Sequence, residues 1–275
     1  MSTPWTSSRD VRLGSLLRIA ESSLAVTHLA ELDLKKAPPN WTARRTLRWM
    51  QKHGFDAAPI DEPEVRRLVA ADSLLPDDQP VVEQAQPMDA VLLVSSDLSL
   101  ADGVSRLATQ PFYFVLQQDR ICGIVTRADL QRPAVSMVVF GLVLAAESAM
   151  NVLIDRRLGQ SWMDTLSDSQ GRCVSQIFED RRRTNTEVTP LECLMLNHRL
   201  ALLQHCPEVV SALGYSSPPE FGAWEKRLRH LRNTLAHGGG LLHAEPDPLR
   251  AVELFKRIRY FAEGLWRLAA GGRSQ

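Results

Sequence analysis

The chain has 275 residues, 44% of them hydrophobic, and its 32 basic and 32 acidic side chains cancel to a formal net charge of zero. That length suits one large or two ordinary domains with real cores, among soluble globular proteins. Balanced charge excludes an overall field that draws the molecule to nucleic acid or to a membrane surface, so any such partner has to be read locally.

In chain order, residues up to about Arg9 are polar and read as a loose segment, and Leu13, Leu16, Leu17 and Leu24 suggest a helix or a helix leading into a strand. Lys35 to Asn40 carries two prolines and reads as a loop, after which Thr42 can cap a helix running through Leu47 and Met50 to Gly54. Ala57 to Ile60 is a short strand, and Val65 to Leu74 a strand passing into a helix. The order then returns. Met88 to Val94 is apolar enough for a strand, Ser99 with Asp102 opens a helix carrying Val104 and Leu107, and Phe112 to Leu116 is a β-branched and aromatic strand. Gln117 to Arg120 turns the chain, Ile121 to Val125 pairs back, and Thr126 to Leu130 starts a helix. Two successive units with one order of elements argue for an internal duplication, with repeats at about 15–75 and 76–132.

The segment GIVTRADL, Gly123 to Leu130, resembles the closing motif of a CBS domain, and GFDAAPI, Gly54 to Ile60, resembles the middle strand of a first repeat. The resemblance implies a paired module that binds adenosine nucleotides such as AMP or ATP in the clefts between repeats and that tends to dimerise. The residues are compatible with it. Thr126 and Asp129 stand at a strand-to-helix junction, where a hydroxyl and a carboxylate can bind ribose while free backbone N–H groups face phosphate. Arg127 can add a charge-assisted contact. The same residues also satisfy a local role, with Thr126 as N-cap and Asp129 completing a capping box. In the first repeat, Arg67 to Leu74 reads RLVAADSL, with Ala70 and Ser73 in place of the threonine and aspartate, so that cleft is expected to be degenerate.

After Arg132 and Pro133 strands disappear. Apolar residues at 135, 138, 139, 142, 143, 146, 150 and 153 describe a long helix, with Phe140 and Leu144 off the main stripe. A helix apolar on more than one side needs a second partner, a subunit interface or the rest of a bundle. Cys173 to Arg183 is a shorter helical segment whose Arg181, Arg182 and Arg183 suit the negative end of its dipole; a phosphate-contacting role is the minor alternative. Thr189-Pro190-Leu191-Glu192 and Ser217-Pro218-Pro219-Glu220 each set a capping hydroxyl before a proline and a glutamate, and Asp247-Pro248 opens the last helix. The fold class expected is α+β: an α/β pair over 1–132, then an all-α bundle over 133–275.

The penultimate helix ends in LRHLRNTLAHGGG, Leu228 to Gly240. Trp224, Leu228, Leu231 and Leu235 form its buried stripe, and away from them stand Arg232, Asn233 and His237. A long first helix, a capped middle helix and this ending resemble the HEPN superfamily over the second half of the chain. The resemblance implies a metal-independent endoribonuclease acting as a homodimer, with both motifs meeting across the interface and 2′,3′-cyclic phosphate ends as product. In that chemistry His237 shuttles a proton, Arg232 neutralises the phosphoryl oxygens, and Asn233 orients the scissile phosphate or His237. A solvated helix end with His237 on the dipole is the plain alternative. Glu147, a polar residue on the apolar first helix, needs a partner, which Arg232 could supply.

Cys122, Cys173, Cys193 and Cys206 are scattered without a CxxC pair or a zinc spacing, and His198, His205 and Cys206 on one helix read as packing and surface, so no metal site is expected. The N-terminus lacks a signal pattern, and the apolar run Val135 to Ala146 is shorter than a membrane span, so the chain is expected to be cytoplasmic. The function expected is a nucleotide-regulated ribonuclease, a toxin or defence effector. The alternative is a non-catalytic, nucleotide-responsive adaptor or RNA-binding scaffold whose helical half binds a partner protein or RNA.

Overall fold

The structure, a computed structural model, describes residues 17–63, 65–184 and 187–271. The chain clusters into two units, one of residues 25–129 and one of residues 1–24 with 130–275. Leu13 and Leu16 of the expected first helix lie outside the described residues.

In the unit of residues 25–129, helix α1 (Ala43–His53) begins where Thr42 Oγ1 accepts the Arg45 N–H at 3.2 Å and ends at Gly54, whose φ of 68° is left-handed. Its Met50 packs with Ala58, Ile60, Val69 and Val81 in the core of the first repeat. Strand β1 (Ala57–Pro59) pairs antiparallel with β2 (Arg67–Ala70), and β2 with β3 (Gln86–Pro87). In the second repeat, β4 (Leu93–Ser95) is parallel to β5 (Phe112–Gln117), which forms an antiparallel hairpin with β6 (Arg120–Thr126). Between β4 and β5, helix α2 (Leu100–Arg106) is capped by Ser99, whose Oγ accepts the Asp102 N–H at 3.0 Å.

The duplication is visible in the pairing. Val26 N–H donates to Leu98 O at 2.7 Å, and Ala25 bridges Ser99, the N-cap of α2. In the equivalent place Val81 N–H donates to Trp41 O at 2.7 Å, and Pro80 bridges Thr42, the N-cap of α1. Each leading segment then reaches the last strand of the other repeat: Glu31 pairs with Ile124 of β6, and β3 pairs with β2. The repeats therefore exchange their N-terminal segments. Gly123 permits one of these crossings, because a Cβ there would stand 2.8 Å from the Glu31 carbonyl oxygen.

Several elements differ from the sequence expectation. Val65 to Leu74 gives only β2 and a turn, because the Ala70 carbonyl is taken by the Ser73 and Leu74 N–H groups and no further turn follows. The strand expected at Met88 is delayed to Leu93, because Asp89 Oδ1 accepts the Val91 N–H at 2.9 Å and winds Ala90–Leu92 into a 3-10 turn. The helix expected from Thr126 is a 3-10 segment, Arg127–Gln131, ended by the proline that opens the next helix.

The other unit is helical. Its long helix α3 (Pro133–Leu158) starts with proline in its first turn, and every residue of its predicted apolar stripe is buried. The stretch Pro133–Thr165 is long and apolar enough to cross a membrane by length and composition, because the helix continues well past the apolar run Val135 to Ala146. Its main apolar stripe is buried in the helical unit, while Met137 and Leu144 on the same helix are exposed. After α4 (Asp168–Arg182), helices α5 (Leu196–Gln204), α6 (Pro207–Ala212), α7 (Pro218–Ala236), α8 (Leu241–Ala244) and α9 (Pro248–Ala270) follow, and α5, α7, α8 and α9 all touch α3. Each large apolar side chain so buried contributes about 1.5–3 kcal/mol. Thr189-Pro190 opens only a 3-10 turn, Pro190–Cys193, so the middle helix begins at Leu196. Residues 17–22 are helical and belong to this unit rather than to the first repeat: Leu17 and Ala20 are buried, Ala20 lies over Gly141, and Glu21 accepts from Arg259 Nε at 3.0 Å.

Gly123→Ala should overpack the crossing at Glu31 and destabilise the protein by about 1–3 kcal/mol, read as a lower denaturant midpoint. Gly171→Ala, with open space around its Cβ inside a helix, should instead raise the midpoint, by about 0.5–1 kcal/mol of stability, and serves as the contrast.

Candidate functional site

Two candidate sites lie in separate units. At the end of β6 the Asp129 carboxylate accepts the Thr126 backbone N–H at 2.7 Å and the Thr126 hydroxyl at 2.9 Å, both through Oδ2. The Arg127 side chain turns back, donating from Nε to Leu107 O at 2.8 Å, while its own N–H binds Pro111 O at 3.2 Å. The three residues named from sequence thus stand at one junction, where the Asp129 carboxylate supplies the back-reaching arm of a capping box. The first repeat has no such box: Ser73 Oγ donates to Ala70 O at 3.3 Å.

In the helical unit, Glu147 is the centre of a charge cluster. Its Oε2 lies 3.3 Å from Arg199 Nη1 on α5, and its Oε1 lies 4.0 Å from Arg232 Nε on α7. The Glu147 and Arg199 side chains are 15% and 8% exposed, so neither charge is neutralised by solvent. One turn along α3, Asn151 Oδ1 accepts from Arg199 Nε at 2.7 Å. Burial pulls the Arg199 guanidinium below its ordinary range; Glu147 opposes that, while Arg181 and Arg232 add to it. Arg199 thus feels two further guanidiniums, Arg181 and Arg232, besides the Glu147 carboxylate. Beside them, burial first and Arg199 second lower the pKa of His198, favouring the neutral ring whose Nδ1 accepts the Met195 N–H at 3.3 Å.

Arg232 and Asn233 face an open groove of about 220 Å³ that Met195, Leu196 and Asn197 of the α5 N-terminus and Arg229 also line. One turn later the helix stops: His237 is the C-cap, its N–H bonded to Asn233 O at 3.1 Å, and Gly238 follows with φ of 80°. The His237 ring is exposed and, among the described residues, makes no hydrogen bond. The groove is bordered by cations and amides, with a histidine at the end of the same helix. Such a set can bind a phosphodiester and move a proton.

Sequence reasoning identified Glu147 as needing a partner and named Arg232. It missed Arg199 and Arg229. The signal for Arg199 was present, since a cation between Leu196, Leu200, Leu202 and Leu203 is buried by the helix that carries it and requires a carboxylate. Arg229 carried no signal, because an arginine one turn before Arg232 reads as a solvated face. His205 and Cys206 do not join His198 in a metal-holding group, and no such group occurs among the described residues.

A duplicated α/β unit with one capped junction, and a helical unit with a cationic groove, define the class: a two-part α+β protein. No protein-family model matches the chain, and no curated protein matches it. Among solved structures the chain is similar to a conserved CBS domain protein from Thermoplasma acidophilum, at 18% identity over 43% of this chain and 75% of that one, with a TM-score of 0.33. It is similar to a CBS domain-containing protein from Bacillus anthracis, at 16% identity over 39% of this chain and 90% of that one, with a TM-score of 0.35. A third similarity is to the CBS domain of a bacterial CNNM/CorC family Mg2+ transporter in complex with ATP, at 14% identity over 48% and 96% of the two chains, with a TM-score of 0.34.

Glu147→Gln should leave Arg199 without its counter-charge and destabilise the protein by about 3–5 kcal/mol. Glu147→Gln combined with Arg199→Met should recover a large part of that loss; urea midpoints of the two variants and the parent measure both effects.

Proposed function

We propose that the chain is a metal-independent endoribonuclease of the HEPN type, joined to a CBS-like pair that binds an adenosine nucleotide such as AMP or ATP. The observation that carries the reading is the placement of Arg232 and Asn233 on an open groove with the His237 ring exposed at the end of the same helix. In this reading His237 takes the proton of an RNA 2′-hydroxyl as its oxygen attacks the adjacent phosphorus, and the bond to the 5′-oxygen breaks. A protonated His237 supplied by the second copy of the motif, across a homodimer, gives a proton to the leaving oxygen. Arg232 neutralises charge on the non-bridging oxygens, and Asn233 holds the phosphate or the imidazole in place. Glu147 supports the site from behind by holding Arg232 Nε, leaving the terminal guanidinium nitrogens for the phosphate.

A second reading, a non-catalytic nucleotide-responsive adaptor or RNA-binding scaffold, is favoured by one observation: His237 is not among the residues that line the groove of Arg232 and Asn233.

Labelled RNA incubated with the protein in excess EDTA should be cut to products with 2′,3′-cyclic phosphate and 5′-hydroxyl ends. His237→Ala and Arg232→Ala should each slow cutting about 10²–10³-fold. Absence of cleavage, or both variants cutting at the parent rate, removes the enzyme reading. For the other unit, Asp129→Ala should weaken ATP or AMP binding at least tenfold by calorimetry; equal affinity in parent and variant rejects the cleft.

A further inference from the structure

The groove beside Arg232 is larger than one scissile phosphate requires, and its second cation is Arg229. Arg229 and Arg232 are three residues apart on α7, which puts their Cβ atoms about 5–6 Å from each other on one face. Both are held in the same way. Arg229 Nε lies 3.6 Å from Glu225 Oε1, and Arg232 Nε lies 4.0 Å from Glu147 Oε1, with the two carboxylate side chains only 18% and 15% exposed. In each pair the carboxylate sits behind the guanidinium at Nε. Among the described residues the terminal nitrogens of neither arginine make a hydrogen bond, although these are the donors that grip phosphate in a bidentate fork. No carboxylate-bearing residue lines the groove, and its opposite wall is Met195, Leu196 and Asn197 at the start of the nine-residue α5, where backbone N–H groups and the helix dipole favour an anion. Two cations, two amides and a helix N-terminus therefore border one cavity.

We propose that this groove is a second phosphate subsite, in which Arg229 and Asn197 bind the RNA phosphodiester next to the one held by Arg232. The assignment rests on the ribonuclease reading for its direction along the strand. Along α7 the order is Arg229, Arg232 with Asn233, then His237, so a phosphate cut beside His237 leaves its neighbour at Arg229. Single strands of two or more phosphates are the ligand class, and the contact is to backbone rather than base, so it carries affinity and register without sequence preference.

The test uses the full-length protein and non-cleavable 2′-O-methyl RNA, as a tetranucleotide and as a dinucleoside monophosphate, with fluorescence anisotropy as the binding readout. For Arg229→Gln the ratio of tetranucleotide to dinucleoside affinity should fall at least fivefold, and the slope of log affinity against log salt should shrink by about 0.7, the value for one lost contact to a single strand. Asn197→Asp, which places a carboxylate in the groove, should act in the same direction. Arg229→Lys, which keeps the charge and loses the fork, should retain the salt slope and only part of the ratio, which separates a lost charge from a disturbed helix. A parent that binds no tetranucleotide, an Arg229→Gln protein with an unchanged ratio, or an equal loss on both ligands overturns the subsite. The ribonuclease reading is decided separately by cleavage of unmodified RNA: a protein that binds in this pattern without cutting keeps the subsite and loses the enzyme, and one that cuts with an unchanged ratio does the reverse.

Discussion

The helical unit depends on the need to neutralise one carboxylate. Glu147 is carried by the long apolar helix α3, and with 15% of its side chain exposed it has lost most of its hydration. An unpaired charge in such a place costs several kcal/mol. Arg199 and Arg232 come from two different helices, α5 and α7, and both have to reach the same carboxylate from their own sides. Meeting that requirement sets how α5 and α7 stand along α3, more narrowly than non-directional apolar burial does. Asn151 sharpens the constraint by taking Arg199 Nε at 2.7 Å, so the guanidinium is held by two residues a turn apart.

This arrangement divides the work between the two arginines. Arg199 is buried and its partners occupy it, so it serves the fold. Arg232 is 42% exposed on its side chain and meets Glu147 only through Nε at 4.0 Å, which leaves it half inside the charge cluster and half in the groove. A cation held this way keeps its orientation without losing its outward donors, which is the preorganisation that phosphate binding gains from. The end of α7 has the opposite character. His237 caps the helix beside the left-handed Gly238, exposed to solvent, so its position is set by backbone geometry rather than by side-chain contacts.

The sheet unit has a different logic, reciprocal exchange. Each repeat lends its leading segment to the last strand of the other, so hydrogen bonds that one repeat leaves open are completed by its twin. The two halves have nevertheless diverged at the junction after the last strand. The second repeat closes it with the Asp129 carboxylate on Thr126, and the first, with Ala70 and Ser73, has only a hydroxyl donating to a carbonyl. A pseudo-symmetric backbone therefore carries asymmetric chemistry.

Sequence by itself determined what depends on neighbours along the chain: the helical period of residues 135 to 153, the caps at Thr42, Ser99, Ser217 and Asp247, the β5–β6 hairpin, and the stop of α7 at Gly238. These follow from periodicity and capping, which act over one or two turns. It also singled out Glu147 as needing a cation, and Arg232, Asn233 and His237 as residues sharing a helix end. Only the tertiary structure decided that Arg199 joins Arg232 on that carboxylate, that Arg229 borders the groove, that residues 17–22 belong to the helical unit, and that the repeats exchange their leading segments. Each of these is a choice among many chemically equivalent partners far apart in the chain, and no local pattern separates one arginine from another until packing brings it within reach of the charge.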